Sequence, residues 1–253
     1  GSGDIVSNGT PHKNVHLWFT NPNGTWYLRD NLTTSGVLGG GYGNIQYLAG
    51  RLFTNGFTVD LNGTFTTSNS AQYREIDFST SNIFVRSGVW YVAFTNTLRL
   101  RADSCVITFT PTLSSKNLQM GAGNLTDSMP RYNIVHFNND PASVNFYTLG
   151  GRSYIREANF VGRSGVAYQN QFGYATFRNG DANISFNNSY DSLYLGGGYF
   201  YRFAQNTTQT LNSPHGKIIA DGSPTAFINI ETTPAGVAFA NRSRFYKAYG
   251  TGF

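Results

Sequence analysis

Val59-Asp60-Leu61-Asn62, followed by Gly63, alternates apolar and polar side chains and ends in an Asn-Gly dipeptide. Alternation at period two places Val59 and Leu61 on one face of a strand. Asn-Gly accepts the positive φ angles that tight turns require. Phe227-Ile228-Asn229-Ile230 shows the same alternation late in the chain. These segments predict short β-strands bounded by turns.

The same pattern recurs along all 253 residues, which are enough for one large β domain or two small ones. Turn dipeptides such as Asn55-Gly56 and Asn179-Gly180 separate short runs rich in Val, Ile, Thr, Tyr and Phe. We find no convincing 3.6-residue apolar period over a dozen residues, so long helices are not expected. We predict an all-β protein with antiparallel β-sandwich or barrel-like sheets and long loops. A β-helical or trimeric fibre fold is the alternative, placed second because the units between turn signals vary in length.

The domain organisation follows from the position of the Gly-rich segments. Residues 4–253 are expected to form a single large β domain. The stretch 113–130 contains few large apolar side chains, and it is either a boundary between two β subdomains or one long loop. Gly1-Ser2-Gly3 has the composition of a cloning remnant.

Composition excludes several classes of protein. Aromatic residues make up 15% and charged residues only 12%, which is the opposite of a disordered chain. The net charge is +5, but its fourteen Arg and four Lys are scattered singly, whereas nucleic-acid binders concentrate their bases. No apolar run approaches the length of a membrane span. We therefore expect no nucleic-acid partner and no insertion into a membrane.

Two carboxylates are the only paired acids that suggest catalysis. Glu75 and Asp77 would share one face of a strand at a separation of about 7 Å. Glycosidase pairs lie at about 5 to 9.5 Å, so these residues are candidates for a general acid and base. The competing interpretation is an ordinary solvated face of the strand.

The sequence offers few residues for metal binding, cofactor binding or disulfide formation. His12 and His16 would be about 13 Å apart on a strand, so we predict no metal site, and no motif indicates a cofactor. Cys105 lies in a strand-like run and is expected to be a small buried hydrophobe. As the single cysteine it cannot form an intramolecular disulfide.

Two similar Gly-rich segments indicate the candidate binding residues. Val37–Gly43 resembles Tyr194–Phe200, and each is followed by an aromatic-rich run. Tyrosines on loops stack on sugar rings and contribute strongly to protein interfaces. We therefore predict a ligand-binding site that uses Tyr42, Tyr199, Tyr201 and Arg202.

The whole chain combines short predicted strands with many Asn, Gly, Thr and Tyr residues, low charge and one cysteine. This composition resembles that of the distal receptor-binding parts of bacteriophage tail fibres and tailspikes. The resemblance implies a homotrimer on a virion surface or outside the cell that binds a surface polysaccharide or an outer-membrane protein. It also implies two functions, attachment without catalysis or, in a few members, cleavage of the polysaccharide. Glu75 and Asp77 are the candidate acid and base for cleavage because of their spacing, and the resemblance assigns them no role. Nine Asn-x-Ser/Thr sequons keep a bacterial adhesin or a glycosylated viral spike as a further alternative.

Overall fold

The chain folds into a stack of β-coils without α-helices in the part described. The computed structural model describes residues 1–13, 16–35, 43–67, 71–86, 89–92, 95–110, 116–122, 129–234, 238 and 241–248. These residues contain 26 β-strands, and every pairing between strands is parallel. The strands form two sheets, one of 16 strands and one of 10.

The amino-terminal half consists of coils with three strands each. Every strand pairs with the strand three places later, so that β1, β4, β7 and β10 form one side of the stack. Leu52 pairs with Ile76 and Ile76 pairs with Leu100, so two successive coils span 24 residues each, from 52 to 76 and from 76 to 100. The strands are β1 Gly3–Ile5, β2 His12–Lys13, β3 Leu17–Phe19, β4 Thr25–Leu28, β5 Leu32–Ser35, β6 Ile45–Tyr47, β7 Gly50–Phe53, β8 Val59–Leu61, β9 Phe65–Thr67, β10 Arg74–Asp77, β11 Asn82–Val85 and β12 Trp90–Val92.

The carboxy-terminal half has mainly two strands in each coil. The change occurs at β13, which pairs with both β10 and β11 and has a register shift between Ala102 and Val106. From there, eight-residue strands alternate with shorter ones. The strands are β13 Leu98–Phe109, β14 Lys116–Gln119, β15 Arg131–Asn138, β16 Tyr147–Gly150, β17 Tyr154–Val161, β18 Ser164–Val166, β19 Gln171–Arg178, β20 Ala182–Ile184, β21 Ser189–Gly196, β22 Phe200–Ala204, β23 Thr208–Leu211, β24 Lys217–Asp221, β25 Asn229–Thr233 and β26 Arg244–Lys247.

This architecture confirms the all-β prediction and corrects the sheet topology. The prediction of antiparallel sandwich or barrel-like sheets was wrong, because both sheets are parallel and their strands belong to successive coils of a β-helix. The prediction was wrong because it took the irregular spacing between turn signals as evidence against a parallel stack. Ile155 to Phe172 spans 17 residues and Ala102 to Tyr132 spans 30, yet both pairs are in register. The extra residues are accommodated between the strands, so variable unit length is compatible with a parallel stack.

The core runs along the inside of the coils. One cluster of buried apolar side chains extends from Phe19 to Leu211. Cys105 is part of it, and burial raises the pKa of its thiol to about 12. The stretch 113–130 contributes β14, which pairs with β12 and β16.

Candidate ligand-binding groove

Glu75 and Asp77 lie on the outer face of β10, beneath arginine side chains. Each residue is only 7% exposed. Glu75 forms ion pairs with Arg51, Arg99 and Arg101 at 3.7, 3.8 and 4.0 Å. Asp77 pairs with Arg101 at 3.4 Å. These ion pairs engage both carboxylates with arginine side chains of β7 and β13.

The aromatic candidates do not converge on one site. Tyr201 is 0% exposed, and its hydroxyl donates to the carbonyl oxygen of Gly196 at 2.8 Å, so its side chain belongs to the core. Tyr199 is half-buried and packs against the same core. Tyr42 lies outside the described residues.

Arg202 faces outward from β22 and is held by two carboxylates. Its Nη1 lies 3.1 Å from Asp181 Oδ2, and its Nε lies 3.2 Å from Glu231 Oε2. The guanidinium also lies over the ring of Phe200, 4.9 Å from the ring centroid. These contacts engage the guanidinium of Arg202 with residues of its own coil and of the neighbouring coils.

A different set of residues forms a concave site. A cavity of about 240 Å³ opens across successive coils of the carboxy-terminal half, and we call it the amide groove. Arg152 is the only charged residue among the described residues that line it, and most of the others carry amides or hydroxyls. The lining consists of Met129, Arg152, Gln169, Asn170, Gln171, Asn187, Asn188, Ser189, Thr210 and Asn212.

Strand register places the lining residues in columns. Tyr154 of β17 pairs with Gln171 of β19, and Gln171 pairs with Ser189 of β21. Two residues earlier in each coil stand Arg152, Gln169 and Asn187, at equivalent corners. The groove reaches Thr210 one coil further on, so it crosses three coil steps, or about 14 Å at the usual spacing of strands.

Two buried asparagines hold the corners beside the groove. Asn170 Oδ1 accepts hydrogen bonds from the backbone N and the Oγ of Ser153, at 3.2 and 3.0 Å. In the next coil, Asn188 Oδ1 accepts from Asn170 N at 2.9 Å. Each amide nitrogen donates to carbonyls of its own corner, and for Asn170 these belong to Ala167 and Tyr168. These hydrogen bonds satisfy backbone N–H and carbonyl groups that a turn would leave without hydrogen-bond partners. They also hold the corners that line the groove in a fixed position.

Tyr168 and Phe186, which we call the aromatic pair, immediately precede the lining residues Gln169 and Asn187. They are 40% and 53% exposed and stack on each other, with ring centroids 5.6 Å apart and an interplanar angle of 8°. Their φ angles are 72° and 64°, where the equivalent corner of the preceding coil has Gly151 at 78°. A bulky residue at positive φ is strained by roughly 1 kcal/mol or more, and such strain concentrates at functional sites.

The described lining of the amide groove is rich in hydrogen-bonding groups. Its amides and hydroxyls offer both donors and acceptors, and an exposed aromatic surface adjoins the corners in the chain. Asp, Glu, His and Cys are absent from the described lining, so no carboxylate, imidazole or thiol of those residues faces the cavity there. The groove is therefore suited to a ligand with many hydroxyl groups.

Sequence reasoning missed this site, although a signal for it exists. Tyr168-Gln169-Asn170-Gln171 and Phe186-Asn187-Asn188-Ser189 share an order of aromatic, amide, asparagine and polar residue, and they start 18 positions apart. The interval equals the coil length between Phe172 and Tyr190. A search for polar repeats at the coil length would have found it.

The metal-ligating side chains of the described ranges are dispersed. Among these residues, no three or more His, Cys, Asp and Glu side chains group closely enough to hold a metal ion. No helix in the described part of the chain has the length and hydrophobicity needed to cross a bilayer.

Comparisons of the chain with protein-family models, with curated protein sequences and with solved structures gave no match.

Proposed function

We propose that this chain is a non-catalytic attachment module that binds a cell-surface glycan in the amide groove. The observation that carries the proposal is the lining of the groove, in which amides and hydroxyls from successive coils surround a cavity of about 240 Å³. Sugars present many neutral donors and acceptors, and amide side chains can satisfy both. Such a module acts on a virion surface or outside the cell, where glycans are displayed.

The aromatic pair supplies the apolar part of the interaction. Sugar rings have apolar faces, and exposed aromatic rings cover such faces while amides bond to the hydroxyls at their edges. Because Tyr168 and Phe186 already stack on each other, little side-chain entropy is lost when a ligand covers them.

The regular spacing of the coils favours a polymeric glycan as the ligand. Gln171, Ser189 and Thr210 repeat along the groove in register, one in each coil. A chain of sugar units lying along this direction would meet a similar set of groups at each step. The backbone hydrogen bonds between strands and the side-chain hydrogen bonds of Asn170 and Asn188 hold these groups in place before the ligand arrives. This preorganisation reduces the entropy lost on binding.

The test is binding to a panel of bacterial surface polysaccharides, measured by calorimetry on the purified chain. Gln169→Ala and Gln171→Ala should each weaken binding about tenfold, because each removes hydrogen bonds inside the cavity. Asn183→Ala is the matched control, since Asn183 is exposed on β20 and does not line the groove. Unchanged affinity in both glutamine variants, or no binding to any glycan of the panel, would overturn the proposal.

A further inference from the structure

The carboxy-terminal end of the stack exposes side chains that point along the core. Ile230 of β25 pairs with Tyr201 of the preceding coil, yet Ile230 is 50% exposed and Tyr201 is 0% exposed. On the neighbouring sheet, Ala220 of β24 is exposed, although it pairs with the fully buried Leu195. The coil that contains β24 and β25 therefore presents apolar inward side chains to solvent.

The backbone of β24 forms an open strand edge at this end. Within the described ranges, β21 is the only strand that pairs with β24, and β26 pairs with β23 instead. An edge strand presents a row of backbone N–H and carbonyl groups that can pair with a strand of another chain. β24 therefore combines such an edge with apolar side chains.

The sequence of β24, Lys217-Ile218-Ile219-Ala220-Asp221, is self-complementary. If two copies pair antiparallel with Ile219 opposite Ile219, Lys217 of each copy faces Asp221 of the other, and Ile218 faces Ala220. Opposite charges directly across an antiparallel pair stabilise it. A two-fold axis through Ile219 relates the two strands, so the contact is isologous.

The directions of the side chains agree with this register. Ile218 and Ala220 point inward, because they pair with the fully buried Leu193 and Leu195. The two charged residues of β24 alternate with them and lie on the outer face. A two-fold axis perpendicular to the sheet keeps inner residues on the inner face and outer residues on the outer face. Each pair of side chains therefore meets on its own side of the joined sheet.

β25 and β26, the neighbouring strands at this end of the described stack, lack this property. Antiparallel self-pairing of β25 around its central residue would place Glu231 opposite Glu231. Self-pairing of β26 would place Arg244 opposite Lys247. Like charges in such positions are destabilising. Charge complementarity with a second copy therefore favours β24 over both strands.

We infer that two copies of this chain associate through antiparallel pairing of their β24 strands, with Lys217 of each copy paired with Asp221 of the other. Because the two-fold axis closes the contact, assembly through β24 ends at two chains. The inference goes beyond the proposed function and does not depend on the amide groove.

Sedimentation equilibrium of the full chain over a range of concentrations tests the inference. The native chain should approach the mass of two chains as its concentration rises. Lys217→Asp and Asp221→Lys should each weaken the dimer at least about tenfold, because each places like charges at both ends of the paired strands. Lys13→Asp is the matched control, since it makes the same change of charge at an exposed position of β2 and should leave the dimer intact.

A mixture of the two β24 variants is the sharpest measurement. A strand with an acid at both positions faces a strand with a base at both, so the Lys217→Asp and Asp221→Lys chains should pair with each other although neither pairs with itself. Circular dichroism checks that each variant is folded. Ile219→Lys, which places two lysines at the two-fold axis, provides the test if either variant fails to fold. A native chain that stays monomeric, a mass beyond two chains, or variants that remain apart when mixed would overturn the inference.

Discussion

The ring of Phe160 lies parallel to the ring of Phe177 in the next coil, with centroids 4.5 Å apart and an interplanar angle of 3°. Phe137 stacks on the other side of Phe160 with the same distance and angle, and Phe109 continues the column at 5.4 Å. Each of these rings is paired with the next by strand register. The column ties four coils together with one type of contact.

Phe160→Ala should destabilise the chain by about 3–5 kcal/mol, because it leaves a cavity with a stacked ring on either side. Chemical denaturation followed by circular dichroism measures the change. Phe227→Ala is the control, since Phe227 is 67% exposed and its loss should change stability by about 0.5 kcal/mol or less. Equal midpoints for the two variants would show that the column does not stabilise the stack.

Asn170→Ala should cost about 1–3 kcal/mol, although the side chain it removes is small and polar. The substitution leaves the backbone N of Ser153 and the carbonyls of Ala167 and Tyr168 without the partners that Asn170 supplies inside the structure. Thermal unfolding measures the loss, with exposed Asn183→Ala as the comparison. A stability equal to that of the Asn183 variant would contradict the structural role of the ladder.

Tyr168→Gly should be more stable than Tyr168→Ala, which reverses the usual order of the two residues. Both variants lose the ring, but glycine adopts a φ of 72° freely, whereas alanine is strained there by about 1 kcal/mol. Thermal unfolding compares the two directly. Under the proposed function both should bind glycan more weakly than the native chain, and the glycine variant should do so without the backbone strain. An alanine variant that is the more stable would mean that the corner relaxes.

The stack should lose stability as the solution becomes alkaline. Burial raises the pKa of the Tyr201 hydroxyl to about 12, and it raises those of Tyr132 and Tyr190 further. The ordinary value is about 10. Above it the unfolded chain releases protons that the folded chain retains, so stability is complete below pH 10 and declines as the pH rises through 12.

A titration that follows phenolate absorbance together with circular dichroism checks this expectation. The hydroxyls of Tyr132, Tyr190 and Tyr201 should ionise only together with unfolding. Ionisation of all tyrosines near pH 10 with the dichroism unchanged would contradict the buried positions.

Much of the strand pattern could be predicted, but its pairing could not. The alternation in Val59-Asp60-Leu61 correctly indicated a strand with two inward side chains, both of them buried in β8. Alternation reports which face a side chain occupies, and it carries no information on the direction of the neighbouring strand. The direction depends on partners that lie a full coil away, such as Leu52 for Ile76, and no local signal marks them.

The candidate site could not be predicted from aromatic richness for a related reason. In Tyr201-Arg202 the alternation of the strand itself sends the first residue into the core and the second to the surface. The amide groove, in contrast, is assembled from residues such as Gln171 and Ser189 that are neighbours only through strand pairing. The ladder formed by Asn170 and Asn188 exists only when coils are stacked, so no local pattern marks it.

The lengths of the coils range from 17 to 36 residues, and this tolerance has an evolutionary consequence. Stability depends on the inward columns, whereas we expect an outward corner residue such as Gln169 to be exchangeable without disturbing strand register. Under the proposed function, new glycan specificity could therefore arise by substitution or insertion at the corners alone. The same separation makes these corners the natural positions at which to engineer the chain toward a chosen receptor.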